Sequence, residues 1–291
     1  MNRAPTMLAQ AFKASCLAEL EALKPGNVHI FADGHGMVVM DFLRSAEAAA
    51  AVIAQPGLSV GQRIEAAVAA TWQAVQCNTN LGVILLCAPL IQAAMQSEGG
   101  SLQARLQQVL DNLTVADAQA TFRAIMQASP GGIGESSRHD VHDVPTVTLL
   151  EAMQEAQERD FIARQYGNGF ADIFDVGVRH YGATLERWHS PAWAVTAVYL
   201  RFLAGFNDTH IARKYGIAVA QQVRQQAALY EQALLAADNP KACQRALLEF
   251  DAELKARGLN PGTSADLTVA SLLAVAIEDI DNCNQAVSTE S

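Results

Sequence analysis

The chain has 291 residues, of which 51% are hydrophobic and 17% charged, a balance that excludes disorder over most of its length. The net charge is −10 and no run of basic residues is present, which argues against nonspecific binding to nucleic acid or anionic lipid. Alanine, leucine, glutamine and glutamate dominate, and these residues favour helix at nearly every position. We therefore expect an all-α protein.

Apolar residues recur at helical spacing along almost the whole chain, and only the short segment 27–31 hints at a strand. In chain order the predicted helices are 5–23, 41–54, 59–76, 80–97, 101–110, 115–128, 146–180 with room for a break, 190–205, 208–236, 239–257 and 264–283. Ser59 ahead of Gln62 and Thr114 ahead of Asp117 have the spacing of N-caps. No linker divides the pattern, so we expect a single compact multi-helix domain over residues 1–283 and a flexible polar tail over 284–291.

Cysteine usage and hydropathy favour a cytoplasmic protein. The five cysteines form no C-x-x-C pair and are Cys16, Cys77, Cys87, Cys243 and Cys283. This is typical of reduced thiols and not of a disulfide framework or zinc site. Residues 1–20 lack a signal-peptide core, and the longest apolar run, 81–91, falls short of the roughly 20 residues that span a bilayer. We expect neither a membrane nor a nucleic-acid partner.

One hexapeptide occurs twice. IARQYG at 162–167 returns 49 residues later as IARKYG at 211–216. A duplicated helical hairpin would produce such a repeat, but the flanking residues do not match, so coincidence is the simpler interpretation.

Polar residues interrupt the helical pattern at four places where a simple turn does not need them. These are KPGNVH at 24–29, NTNLG at 78–82, NDTH at 207–210 and NPGTSAD at 260–266. Capping explains each of them taken singly. Four such segments in one helical domain, three of them at helix starts, point to a shared site. A polyanion bound there would need a local site with a divalent metal, because the chain is acidic overall.

A fifth polar segment follows the glycine-rich stretch 130–135. Its sequence is HDVHD at 139–143, and two histidines at this spacing suit a transition metal when a helix fixes them. Pro145 and the preceding glycines indicate a loop instead. The better candidates for Mg²⁺ or a general base are Glu135, Asp140 and Asp143. No Walker, Rossmann or nucleophile-elbow motif is present.

Five motifs, taken in chain order, resemble those of the triphosphoribosyl-dephospho-CoA synthase family. They are K-P-G-x-V at 24–28, D-F-x-x-S at 41–45, N-T-x-x-G at 78–82, N-D-T at 207–209 and N-P-G-x-S-A-D at 260–266. The last motif is the most specific. The resemblance runs from about residue 19 to residue 280 and therefore covers nearly the whole chain.

The resemblance implies an all-helical, Mg²⁺-dependent transferase of cofactor biosynthesis. Members of the family release adenine from ATP and attach its 5-triphosphoribosyl group to the ribose 2′-hydroxyl of 3′-dephospho-CoA. We thus expect Mg²⁺ as cofactor, ATP as substrate, and a ribosyl-bearing small molecule as acceptor. Such a transfer passes through an oxocarbenium-like state and needs a carboxylate to activate the hydroxyl.

The motif match also implies roles for individual residues. The catalytic carboxylates, as Mg²⁺ ligands or base, would be Asp41, Asp208 and Asp266. Lys24 and Arg213 would bind phosphate. The remaining substrate- and nucleotide-binding residues would be Gly26, Asn27, Asn78, Thr79, Asn80, Asn207, Asn260, Gly262 and Ser264.

The chain departs from the family pattern in places. His29 stands where the family has Asp, and Asn80 and Leu81 stand where it has His and Lys. The family's acidic residue upstream of K-P-G corresponds to Glu19 or Glu21, displaced by one position. The T-N-L-G form resembles a divergent branch associated with archaea and with bacteria that use methanopterin-type one-carbon carriers.

Alternatives to the named reaction therefore remain open. The chemistry could act on a precursor of a methanopterin-type C1 carrier, or move a phosphoribosyl group. The protein could instead be a Mg²⁺-dependent nucleotide N-glycoside hydrolase or a non-catalytic nucleotide-binding protein. An alanine-rich helical surface is compatible with a homodimer, although no sequence feature selects one.

Overall fold

The structure is a computed structural model that describes residues 5–96, 100–128 and 143–289, with side chains described as far as Cys283. Over these ranges it contains no strand, and 27–31 contributes only the isolated bridge between His29 and Ala32. The all-α class is thus confirmed. The fourteen α-helices in the described ranges are α1 Pro5–Glu21, α2 Val39–Ile53, α3 Val60–Val75, α4 Leu81–Met95, α5 Leu102–Asp111, α6 Val115–Ala128, α7 Leu149–Ala156, α8 Phe161–Gly167, α9 Arg179–Trp188, α10 Pro191–Gly205, α11 Thr209–Tyr215, α12 Ile217–Ala236, α13 Gln244–Ala256 and α14 Gly262–Thr289.

Both predicted N-caps are confirmed. Ser59 Oγ accepts a hydrogen bond from the Gln62 N–H at the start of α3, and the Ser59 N–H donates one to Gln62 Oε1. Thr114 and Asp117 make the same reciprocal pair at the start of α6. Asp117 also accepts hydrogen bonds from Ser59 Oγ at 2.6 Å and Gly61 N at 2.8 Å, so one carboxylate fixes α6 against α3.

Two long predicted helices are interrupted. The segment 146–180 divides into α7, α8 and a π-helix at Asp172–Val178, because Asp160 Oδ1 accepts the N–H groups of Ile162 and Ala163 and starts a new helix. The segment 208–236 divides at Gly216, whose φ of 88° cannot continue a helix. A 3₁₀ turn at Pro240–Cys243 precedes α13. At the other end, α14 runs into the segment 284–291, for which a flexible tail stays a prediction.

The most apolar helix, α4, lies in the centre of the main hydrophobic core. Nearly all its residues are buried, so it is surrounded by other helices on every side. A second core cluster joins α10, α12 and α13. Two buried tyrosines connect further elements. Tyr166 of α8 donates to the Leu85 carbonyl in α4, and Tyr199 of α10 donates to the Pro25 carbonyl in the 24–29 loop. Among the helices of the described ranges, none is long and apolar enough to cross a bilayer.

Candidate active site

A cavity of about 470 Å³ lies beside the N-terminus of α4. Four of the polar segments meet there, because its lining includes Asn27, all of 78–82, His210 with Arg213, and the 260–266 segment through Asn260, Gly262, Thr263 and Asp266. Apolar side chains close the rest, among them Phe42, Phe122, Ile125 and Met153. A cavity with an apolar wall and a few convergent polar groups is the usual form of a small-molecule site.

Asp266 is the carboxylate that this cavity leaves without a partner. It makes no hydrogen bond with any residue that the structure describes. Its Oδ2 lies so close to Gly82, in the first turn of α4, that a Cβ at that position would come within 2.0 Å of it. Burial, followed by the nearby Asp208 and Glu19 carboxylates, holds the pKa of Asp266 well above its ordinary value. A desolvated, unpartnered carboxylate in a cleft has the properties of a general base.

Lys24 turns away from the cavity into the protein. Its ammonium donates to Glu19, to Asn27 Oδ1 at 3.0 Å and to the Val28 carbonyl at 2.8 Å, which uses all three of its protons. Burial lowers the pKa of Lys24 and raises that of Glu19. The structure therefore does not bring Lys24 to the site where phosphate binding was expected. Of the two acidic candidates upstream, Glu19 lines the cavity and Glu21 does not.

Asp208 is likewise committed to structure. Its Oδ1 accepts the N–H groups of His210 and Ile211, and its Oδ2 accepts the N–H and Oγ–H of Ser264, both at 2.8 Å. It is 1% exposed and does not line the cavity. Asp208 and Ser264 thus lock the 207–210 segment to the start of α14. No oxygen of Asp208 is left over for a ligand.

The segments 24–29 and 260–266 are joined by a hydrogen bond between two side-chain amides. Asn27 Nδ2 donates to Asn260 Oδ1 at 2.8 Å at the edge of the cavity. Gly26, whose φ is 85°, donates its N–H to Asp251 and lies too close to Leu254 and Pro261 for any side chain. Gly26 therefore allows the 24–29 loop to pack against Leu254 and Pro261, and it does not line the cavity.

Two further predicted residues, Asp41 and Asn207, also lie away from the cavity. Asp41 is in the first turn of α2, where its Oδ2 accepts the Val38 N–H at 2.9 Å. It reaches the site only indirectly, because its carbonyl accepts from Ser45, which in turn accepts from Thr79. Asn207 is also off the cavity, although its Oδ1 is buried without a partner among the described side chains and backbone.

The three carboxylates predicted to ligate Mg²⁺ do not converge. Asp41 lies outside the cavity, Asp208 is saturated, and only Asp266 faces the ligand space. Across the ranges that the structure describes, no group of three acidic, histidine or cysteine residues could hold a metal ion. The three predicted donors therefore do not share one site among the described residues. The segment 130–142, with Glu135 and Asp140, lies outside the described residues, and Asp143 is exposed.

The remaining predicted residues have clear positions. Asn78 Oδ1 accepts the Leu81 N–H at 3.2 Å and so helps to cap α4. Asn80 is 8% exposed, and its Nδ2 has no hydrogen-bond partner in the described ranges. Gly262 lies against His210, because a Cβ there would come within 2.5 Å of the imidazole.

Several lining residues were not among the sequence predictions. Burial lowers the pKa of His210, which favours the neutral imidazole. Arg159 and Asp160 enter from the turn between α7 and α8. Only one sequence signal could have indicated this region, namely the repeated hexapeptide that follows Asp160 and Asp208.

Comparison with known proteins shows what this chain is similar to in sequence and in fold. A family model described as ATP:dephospho-CoA triphosphoribosyl transferase matches residues 5–285 and so covers all five motifs. Among solved structures, a candidate triphosphoribosyl-dephospho-CoA synthase from Archaeoglobus fulgidus aligns with a TM-score of 0.62 and 23% identity, over 80% of this chain and 98% of that chain. At this identity the likeness shows a shared fold. The comparison with curated proteins gives no significant match.

Proposed function

Because the chain belongs to the ATP:dephospho-CoA triphosphoribosyl transferase family, we propose that it transfers the triphosphoribosyl group of ATP to dephospho-CoA with Asp266 as the general base. The family match favours this reaction over a hydrolase, a C1-carrier transferase or a binding protein. The observation that carries the assignment of the base is the position of Asp266, desolvated and unpartnered in a cavity that four sequence motifs build together.

The step is a displacement at the anomeric carbon of the ATP ribose. The acceptor 2′-hydroxyl oxygen forms a bond to C1′ while the bond from C1′ to adenine breaks, and the electron pair of that bond leaves with adenine. The hydroxyl proton passes to the Asp266 carboxylate, which afterwards releases it to solvent, and the departing adenine nitrogen takes up one proton from water. The raised pKa of Asp266 makes it a stronger base than an exposed aspartate, which favours this proton transfer. Before the proton is transferred, the positive end of the α4 dipole beside Gly82 stabilises the ionised Asp266 carboxylate.

The amide-rich part of the cavity suits the sugar groups of the two substrates. Asn27 and Asn260 are already paired with each other, so their orientation is fixed before a ligand binds. Asn80 Nδ2 is a buried donor with no partner in the described ranges, and a ligand oxygen would satisfy it. Thr79 is held by Ser45. Such prearranged donors position a ribose without reorganisation at the moment of reaction.

The Mg²⁺ requirement, the cellular location and the oligomeric state are proposals that do not follow from the geometry of the cavity. A requirement for Mg²⁺ remains a prediction, tested by loss of activity with EDTA and its return with added Mg²⁺. The cysteines are free thiols, which supports the proposed cytoplasmic location. A homodimer remains a prediction that sedimentation analysis would test.

The experiment is adenine release from ATP, followed by chromatography, with and without dephospho-CoA. The wild type should release adenine only when dephospho-CoA is present. Asp266→Asn should lower the rate by about 10²–10⁴-fold, the usual contribution of a general base, and should still bind ATP. The matched control is Asp175→Asn, which removes an exposed carboxylate paired with Arg179 outside the cavity.

Two outcomes would contradict the proposal. Adenine release without dephospho-CoA would make the protein a hydrolase. An Asp266→Asn variant with the wild-type rate would remove Asp266 from the mechanism.

A further inference from the structure

The two copies of the repeated hexapeptide form neighbouring short helices. The first copy lies in α8, and the second makes up most of α11 and ends at Gly216. The helix starts are in direct contact, because the ring of Phe161 stacks on Phe206 at 3.7 Å and the Phe161 N–H donates to Thr209. The repeat therefore places its two arginines, Arg164 and Arg213, at corresponding positions of adjacent helices.

The two arginines have different surroundings. Arg213 forms an ion pair with Asp160, the N-cap of the first copy, and both side chains line the cavity. Arg164 lies over the ring of Phe161 and 3.6 Å from Asp172, and it does not line the cavity. One arginine of the repeat thus faces the ligand space and the other does not.

Positive charge is scarce around this cavity. Among the described lining residues, only Arg159 and Arg213 are permanently cationic. Lys24 is turned inward, and Leu81 offers no charge at the start of α4. The acidic side chains of the lining, Glu19, Asp160 and Asp266, offer no positive charge. A polyanion that enters this space can therefore be met by opposite charge only near the two arginines.

Backbone hydrogen bonds hold the Asp160 carboxylate in the orientation in which it pairs with Arg213. Its Oδ1 accepts the N–H groups of Ile162 at 2.8 Å and Ala163 at 3.1 Å, which sets the plane of the carboxylate. The other oxygen binds a single nitrogen of the Arg213 guanidinium. The remaining donors of that guanidinium stay available in a set direction, so less side-chain entropy is lost when a phosphate binds.

We propose that Arg159 and Arg213 form the subsite for the terminal phosphates of the nucleotide, and that Asp160 is a positioning residue that orients Arg213 toward them. The inference rests on the proposed function in one respect, the identity of the polyphosphate as that of ATP. The Asp160 carboxylate also repels a phosphate, and we expect its orientation of Arg213 to outweigh that repulsion.

The test is calorimetric binding of inorganic tripolyphosphate to the full chain. Arg213→Gln and Arg159→Gln should each weaken binding by about tenfold, the value of a charge-assisted hydrogen bond to phosphate. Asp160→Asn should weaken it by about three- to tenfold at unchanged melting temperature, because Asn is an equally good N-cap. Arg164→Gln, at the matching position of the first copy, should bind tripolyphosphate like the wild type.

Steady-state kinetics provide a readout that a purely structural role of Asp160 would not change. Asp160→Asn should raise KM for ATP by the same factor as the binding loss, with KM for dephospho-CoA and kcat within about twofold of the wild type. Tripolyphosphate affinity that is unchanged or stronger in Asp160→Asn would overturn the positioning role. Unchanged affinity in both arginine variants would overturn the subsite.

The failure of this inference differs from that of the proposed function. A wild type that binds tripolyphosphate through both arginines but releases no adenine with dephospho-CoA would refute the reaction and leave the subsite standing. Adenine release that depends on dephospho-CoA but is unchanged in the arginine variants would refute the subsite and leave the reaction standing.

Discussion

The contact between Gly82 and Asp266 offers a substitution that should separate activity from stability. A Cβ at residue 82 would lie 2.0 Å from Asp266 Oδ2, where ordinary contact begins at 3.4 Å. In Gly82→Ala the carboxylate must therefore withdraw by about 1.4 Å, and a displacement of about 1 Å at a reacting group can cost roughly 10²-fold in rate. We expect kcat for adenine release to fall by about 100-fold or more.

The free energy of unfolding should change little in the same variant. The obstructing atoms belong to the end of a side chain that can rotate away. Alanine is also favoured over glycine in a helix by up to about 1 kcal/mol. The assay is adenine release with saturating ATP and dephospho-CoA, together with urea unfolding of the same sample. We expect unfolding free energies within about 1 kcal/mol of the wild type.

The matched control is Gly182→Ala in α9. Gly182 is also helical, but a Cβ there meets nothing within 4 Å. This variant should gain about 0.5–1 kcal/mol of stability and keep the wild-type rate. The reasoning would be refuted by a Gly82→Ala enzyme with wild-type kcat. It would equally be refuted by equal losses of activity in both glycine variants.

Four further predictions follow from the buried charged groups. Because burial raises the pKa of Asp266, wild-type activity should fall as the pH drops through that raised pKa, and this limb should be absent from the residual activity of Asp266→Asn. A carboxyl whose pKa is raised in the folded state lowers the stability of the protein above that pKa. We therefore expect Asp266→Asn to melt at a higher temperature than the wild type at neutral pH, and the difference to vanish near the ordinary pKa of 3.8. Equal melting temperatures of the two proteins at both pH values would contradict this. Lys24→Met leaves Glu19 buried without its partner and should cost about 3–5 kcal/mol in urea unfolding, partly restored by adding Glu19→Gln; a loss below 1 kcal/mol would contradict a buried pair. Asp208→Ala removes the acceptor shared by two helix starts and should cost about 2–4 kcal/mol, at about 1–2 per cap, whereas a purely catalytic Asp208 would leave unfolding unchanged.

Local signals in the sequence were sufficient for the helices and for part of the site. Helical periodicity and the caps at Ser59 and Thr114 depend on residues within a few positions of one another, and the structure confirms them. The segments 78–82 and 260–266 were indicated by polar residues at the starts of apolar helices. Residues of both segments line one cavity. The unpaired backbone N–H groups of a buried helix start need acceptors, and polar residues or a ligand provide them.

The interrupted helices show the limit of such signals. Periodicity continues through Asp160 and Gly216, so the pattern allows a break within 146–180 without locating it and indicates none at Gly216. The breaks follow from a side chain that captures two N–H groups and from a backbone angle that only glycine adopts readily. Both act at single positions within an otherwise continuous pattern.

The division of labour among the carboxylates was decided only by the tertiary structure. In the sequence, Asp208 and Asp266 look alike, since each is an acidic residue near a helix start. In the fold, Asp208 receives donors from its own helix and from Ser264, 56 residues away, and is saturated. Asp266 meets a glycine in α4 and receives none. Whether a carboxylate is a cap or a base depends on which distant donors reach it, and spacing along the chain does not encode that distance.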